Sequence, residues 1–438
     1  MRAEGYIRGV ARAALLLVLG LPAANADSEL TLEGHIDHAV GIDGGDRLYT
    51  SLEVLSSYTR PMGERSRLKA SARLRLGSTD RLEPGGTTDD AYAPLSRPWV
   101  IGSAGSAEIR DLFLEHQLAS GRLRIGKQTI NWGRLDGIKV LDVVNPQDYR
   151  TFILDDFEQS RTSLWSGYSD TTAGAWRREV AVVVDGTAHA IPDDDAWFGF
   201  RAPRFRFGSS TDQQAAFSET QRPGHGIGDA GFGVRLSRQT ARGEFAVLAY
   251  RGLDPEPLGR FVSRAGEIGI QRFYEPRSTL GASFDAGLGG QVIRGEFALH
   301  PDRAFNTRNG SLLDTDRRSQ IRAALGVDLS GPGGALVNLQ FLYDRVEGER
   351  GLLVRPVRDR LLTLGVRKTL GFDRWIFQVR AYRSLDDDDQ MLSLKVTRSL
   401  SETARLEIHV ASFNGDRDGV FGQFEQKDMA GLRISQFF

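Results

Sequence analysis

Residues 321–330 read "IRAALGVDLS". Ile321, Ala323, Leu325, Val327 and Leu329 fall at every second position, with Arg322, Asp328 and Ser330 on the opposite side. A period of two is the signature of a strand with one apolar and one polar face. The same alternation recurs in "LKASARLRLG" (68–77), "LLTLGVRKTL" (361–370), "RWIFQVRAY" (374–382) and "RLEIHVAS" (405–412). Helical periodicity is nearly absent; only the region 135–160 has the make-up of a short helix.

Working outward, the connections between these segments alternate in length. Tight ones fall at 61–66, 119–122, 170–175, 239–243, 287–290, 330–334, 370–373 and 399–404. Long ones fall at about 79–106, 132–161, 186–227, 252–275, 301–317, 345–357, 384–389 and 414–427. Antiparallel up-and-down strands send odd connections to one edge and even ones to the other. Outer-membrane barrels keep one edge tight and elaborate the other. Counting strands between connections predicts an all-β, transmembrane, up-and-down antiparallel barrel of about 18 strands (16–18) with long extracellular loops. The segments match the roughly 9–11 residues a strand needs to cross, and closure leaves no edge unsatisfied in lipid. A soluble all-β fold would have to fill a lumen that 18 strands make too wide for side chains.

The two ends fit this reading. "MRAEGYIRGVARAALLLVLGLPAANA" (1–26) has Arg2, Arg8 and Arg12, an apolar run from Ala13 to Leu21, and small residues around Asn25. That is the three-part pattern of a cleaved secretory signal peptide, leaving 27–438 as one barrel domain. At the other end "GLRISQFF" (431–438) places Leu432, Ile434 and Phe438 on one face of a final strand. These three are expected to form the signal read by the barrel assembly machinery, with periplasmic chaperones, outer-membrane lipid and lipopolysaccharide as the other partners. The expected location is the outer membrane of a Gram-negative bacterium.

Composition narrows the chemistry. There is no Cys among 438 residues, hence no disulfide framework, thiolate metal site or catalytic thiol. A net charge of −1 lacks the basic footprint of a nucleic-acid binder. His35 and His38 point to opposite faces of a strand, which argues against a shared metal. No His in the later strands has an obvious Ser partner in sequence, so no enzyme constellation stands out. No cofactor is expected. The acidic run 386–389 reads as a solvated turn.

The least generic stretch is "GKQTINWGRLDGIKVLDVVNPQDYRTFILDDFEQSR" (126–161). Its Gly126, Lys127 and Gln128, then Trp132 and Gly133, then Asn145 and Pro146, resemble the "G-[RK]-Q", "WG" and "NP" features of alginate-export-type porins and related outer-membrane barrels. The resemblance implies a channel, with a loop folded into the lumen in several relatives. Connection 132–161 mixes apolar residues with Arg134, Asp136, Lys139, Asp148, Arg150, Asp155 and Asp156. Irregular backbone is tolerated at membrane depth where it lines a water-filled cavity, so this loop is the candidate constriction; a cap packed on other loops is the alternative. Lys69, Arg73, Arg75, Arg122, Arg124, Arg322, Arg367 and Arg380 are the basic lumen-facing candidates for selectivity, with an anion-attracting stripe expected over 69–124. The function expected is a porin-like channel for passive diffusion or export of small hydrophilic or anionic solutes. A barrel enzyme, or a surface barrel without an open pore, is the alternative.

Overall fold

The computed structural model describes residues 28–42, 47–77, 91–156, 158–208, 217–221, 227–264, 267–309, 312–349 and 351–438. The segment 1–26, read above as a signal peptide, lies outside them. Eighteen antiparallel strands form one closed wall. In chain order they are β1 (Glu29–Gly41), β2 (Arg47–Pro61), β3 (Ser66–Gly77), β4 (Gly105–Leu118), β5 (Gly121–Gln128) and β6 (Leu164–Ala173). Next come β7 (Trp176–Val183), β8 (Gly231–Thr240), β9 (Gly243–Leu253), β10 (Pro276–Leu288), β11 (Gln291–Asn309) and β12 (Leu312–Ser330). The wall ends with β13 (Leu336–Val346), β14 (Arg358–Leu370), β15 (Trp375–Ser384), β16 (Asp389–Ser399), β17 (Ala404–Gly415) and β18 (Met429–Phe437). Each pairs with its neighbour in sequence, and β18 returns to β1 with Glu33 opposite Phe437 and Gly41 opposite Met429. Every wall strand thereby has two partners, the condition for a sheet to sit in hydrocarbon.

The faces divide as the alternation requires. Leu325 is 54 % exposed and Ile434 46 %, whereas Gln320 and Gln340, on the opposite face, are 0 % and 2 %. An inverted pattern of this kind means that the apolar side meets lipid. It also means that the lumen is filled, because polar side chains facing open water would not be buried.

Two departures from the expected layout matter. The expected connection at 301–317 is strand: β11 and β12 run on as a hairpin paired up to Asn309 and Leu312, with a register shift between His300 and Arg303. Pro301 sits at that shift, and a proline, which has no N–H to give a ladder, is confined to such bulges. The second departure is β5, which stops at Gln128 and pairs with β4 only over Leu112–Leu118. At the vacated edge a short strand, Trp99–Ile101, pairs with Gly105–Ala107. Gly126 makes the exit possible: its φ is +135° and a Cβ there would lie 2.2 Å from the Leu112 carbonyl oxygen. Within the long connections, Phe217–Gln221, Leu258–Arg264 and Glu267–Phe273 form a separate three-stranded sheet.

Past the end of β18, Phe438 donates its amide to the Leu32 carbonyl (2.8 Å) and accepts from the Leu32 amide (3.1 Å). Its ring packs against a cluster centred on Leu32 and Val54. Deleting Phe438 removes both seam bonds and that packing. The expected outcome is a reduced yield of heat-modifiable folded barrel, read on a gel run with and without boiling.

Candidate functional site

Where β5 leaves the wall, residues 129–163 enter the barrel. Ile130, Trp132, Leu135, Ile138, Val140, Leu141, Val143 and Val144 are all buried, in one cluster with Tyr168 of β6, Ala181 of β7, Leu248 and Tyr250 of β9, Ala298 of β11 and Ala324 of β12. The loop therefore packs on the inner wall instead of capping the mouth. Three lumen-facing glycines make room for it. A Cβ on Gly233 would lie 2.7 Å from the Trp132 ring, one on Gly281 2.5 Å from Leu141 and one on Gly326 3.1 Å from Leu135. At the first two positions real Cβ atoms would not fit, so the wall is thinned where the loop lies against it.

A backbone that leaves secondary structure at this depth must still satisfy its amides. Glu296, on the lumen face of β11 and 4 % exposed, does this for three of them. Its Oε1 accepts from the amides of Arg134 and Leu135 (3.1 Å for the latter) and its Oε2 from that of Leu141 (2.8 Å). Gln340 Nε2 donates to the Asp136 carbonyl (2.5 Å).

Further along, Asn145 joins the two arms: its Oδ1 accepts from the Ile130 amide (2.8 Å) and its Nδ2 donates to the Thr162 carbonyl (2.7 Å). The second long connection is bonded to the first, with Tyr149 N donating to Ala190 O and Ala190 N to Gln147 O (2.8 Å each). The residues behind the "Q", "WG" and "NP" features thus share a job. Gln128 is fully buried and bonds the Ser166 carbonyl (3.1 Å), Trp132 fills the gap at Gly233, and Asn145 ties the loop. At the tip, Phe152 takes φ +56°, a costly conformation for an aromatic residue of about 1–3 kcal/mol. It is held there by the rings of Phe200, Phe413, Phe421 and Phe424, with centroids 4.9–6.4 Å away.

Voids flank the loop on both sides. A void of about 440 Å³ lies between the loop and β10–β15, and one of about 150 Å³ lies towards β1–β3 and β16–β18. A third, of about 10 Å³, is lined by Leu154, Asp156 and Lys395, which also line the smaller void, and by Arg380, which also lines the larger.

The sequence-nominated residues separate into three groups. Arg73 is 2 % exposed and pairs with Glu108 and with Asp148 (3.3 Å); Arg75 pairs with Glu53 (2.6 Å) and approaches Asp148 (3.8 Å) and Asp155 (3.9 Å). Arg122 pairs with Asp170 (2.9 Å), Arg124 stacks on Tyr168 (4.7 Å) and Lys69 lies over Phe113 (6.0 Å). The stripe expected to attract anions is therefore ion-paired along much of its length, because the sequence did not show which carboxylates face it across strands and from the loop. Arg322, beside Asp344 (3.2 Å), and Arg380 line the larger void, and Arg367 is exposed nearer the tight-turn edge.

In the loop, Arg134 pairs with Glu244, Asp156 lies 3.3 Å from Lys395, and Asp136 is exposed. Burial works against the Asp148 charge, yet Arg150, Arg75 and Arg73 hold it well below the usual carboxylate range. Arg150 completes this cluster (2.5 Å to Asp148). Burial pushes the Lys139 ammonium down to about 8; it donates to Gln147 and to Ser160 Oγ (2.9 Å).

Other details differ from the linear reading. Asp389, expected in a solvated turn, is fully buried and accepts the amides of Phe421 (3.0 Å) and Gly422 (2.5 Å). His116 does meet a serine, Ser66 Oγ at 2.9 Å, and His35 meets Ser435 at 2.9 Å. The first pair faces across the β3–β4 ladder and the second across the β1–β18 seam, which spacing alone does not reveal. The Glu296 anchor was missed for the same reason.

No family model matches the chain, and no curated protein matches it. Similar solved structures do exist. OccAB2 of Acinetobacter baumannii is 9 % identical with a TM-score of 0.53, over 95 % of this chain and 99 % of that one. OccAB3 of the same organism has 9 % identity and a TM-score of 0.51 (94 % and 100 %), and OccK8 (OprE) of Pseudomonas aeruginosa has 9 % and 0.51 (94 % and 98 %). At this identity the likeness is one of fold, that of a closed 18-stranded antiparallel barrel.

Three outcomes follow from the loop geometry. Glu296→Ala orphans three buried amides at about 1–3 kcal/mol each, and is expected to free the loop and raise single-channel conductance with added flicker. Gly281→Val displaces Leu141 and is expected to lower the temperature of heat-modifiable unfolding. For Lys139, raising the pH through about 8 removes a positive charge from the larger void. The reversal potential under a salt gradient is expected to move towards cation preference over that range, and to stay flat in Lys139→Gln.

Proposed function

We propose that this protein is an outer-membrane channel, exported by a cleaved signal peptide and assembled through its C-terminal strand, for passive diffusion or export of small hydrophilic or anionic solutes. The observation that carries the reading is the loop 129–163 held across the lumen by Glu296 and the glycine sockets, with solvent-sized voids lined by charged side chains on both sides. A loop pinned inside a wide barrel converts a pore that would pass almost anything into one that sorts by size and charge. Ions at such a constriction sense the side chains at close range. The closer affinity to alginate-export-type porins rests on the Gly126–Pro146 features alone.

The burial of Trp132, Leu135 and Leu141 of the loop against the inner wall favours a second reading, a barrel that is closed at rest. Single-channel recording of the refolded mature protein in a planar bilayer under a salt gradient separates them. Discrete steps are expected, with Glu296→Ala larger than the parent. A folded barrel that stays silent in both forms would overturn the channel reading.

A further inference from the structure

The smaller void lies against the seam where the wall closes, and its lining is acidic. Six carboxylates and four basic side chains face it, together with His35 on β1 and His409 on β17. His409 is built into that seam. Its Nε2 lies 3.6 Å from Asp37 Oδ1 on β1, and its Nδ1 3.9 Å from Glu407 Oε1 on its own strand. Arg433 on β18 holds the other oxygen of Asp37 (2.7 Å). On β16, Lys395 stands opposite His409 in register and reaches Asp156 of the loop (3.3 Å). The residue opposite on β18 is Gly431, where a Cβ would lie 2.1 Å from His409 Nε2. Any side chain there would displace the ring, so glycine keeps the imidazole between its two acids.

A neutral ring cannot serve both of them. It has one N–H, and its other nitrogen is an acceptor. In either tautomer, therefore, a lone pair faces a carboxylate oxygen. Asp37 Oδ1, Glu407 Oε1 and His409 Nδ1 are all buried without a hydrogen bond among the described residues. Such atoms are rare in folded proteins, and these three meet around a single ring. One proton answers all three, because an imidazolium carries an N–H on each nitrogen. Both separations are too long for hydrogen bonds with a neutral ring and suit ion pairs with a charged one.

The proton has a route. The His409 side chain is 12 % exposed and lines the void. Burial opposes a charge at this position, and Asp37 and Glu407 favour it against Arg433 and Lys395. Histidine is the side chain that ordinarily changes charge under mildly acidic conditions.

We propose that His409 is a proton-operated selectivity residue, which on acidification takes up a proton between Asp37 and Glu407 and cancels one of the two excess negative charges lining the smaller void. This deepens the channel reading and rests on it. The void favours cations at neutral pH and loses part of that preference as the medium acidifies. The pH range lies below the one in which Lys139 acts on the larger void.

The test reads the ring and the current separately. Folded protein carrying nitrogen-labelled histidine, in lipid nanodiscs, is titrated by NMR from about pH 8 to about pH 4, with His409→Gln identifying the signal. That signal is expected to pass from the neutral to the imidazolium form within the range. Glu407→Gln is expected to make the ring about tenfold harder to protonate; Asp37→Asn serves in its place if Glu407→Gln does not fold. In planar bilayers under a salt gradient, the reversal potential is expected to move towards anion preference over the same fall in pH. His35 titrates beside the same void, so the diagnostic result is a smaller movement in His409→Gln. A ring that stays neutral throughout, or that titrates unchanged when its acid is removed, would overturn the proton site and leave the channel standing. An equal movement in His409→Gln and the parent would overturn its role in selectivity. Titration of the ring in a barrel that is silent at every pH would uphold the proton site and overturn the channel.

Discussion

A chain that leaves its sheet inside a membrane barrel must find partners for its amides, and here a single carboxylate supplies three of them. Glu296 faces inward from β11 and receives the amides of Arg134, Leu135 and Leu141. Without that acceptor the apolar residues around it would still prefer burial, but their backbone would have no buried place to go. The glycine sockets, the Asn145 tie and the aromatic cluster at the tip all presuppose a loop already fixed at this depth.

The arrangement also explains why so many lumen charges are matched. A filled lumen takes its side chains partly out of water, and a buried charge is tolerated only when paired. Arg73, Asp148, Arg150 and Glu108 form one such matched group between wall and loop, and Asp254 with Arg277 and Arg303 forms another. Counting basic and acidic residues along each strand gives near balance; the cross-strand pairing decides where an excess is felt.

Much of the barrel was legible in the sequence, because lipid imposes a period of two that soluble folds relax. Turn alternation carried the strand number, and the final strand carried the closure. The hairpin of β11 and β12 was not legible, since a charged stretch from Pro301 to Arg317 looks like loop until its pairing is known. The path of the loop was only half legible. Its apolar make-up pointed inward, but the complementary signals, glycine at 233, 281 and 326 and an acid at 296, lie 70 or more residues beyond the end of the loop at 163. Each is ordinary alone and acquires meaning only beside Trp132, Leu141, Leu135 or Arg134.

The second aromatic cluster has a consequence for how the molecule is made. Phe152, Phe198 and Phe200 come from the middle connections, Ala39, Leu48 and Tyr49 from the first hairpin, and Phe413, Phe421, Phe424 and Met429 from the last two strands and the turn joining them. An open, partly built sheet can assemble the cluster around Glu296, whose residues lie between 130 and 342. It cannot assemble the aromatic one until both ends of the chain are present. Sealing the cylinder and finishing its interior are therefore one event, so an unsealed intermediate keeps its loop tip loose.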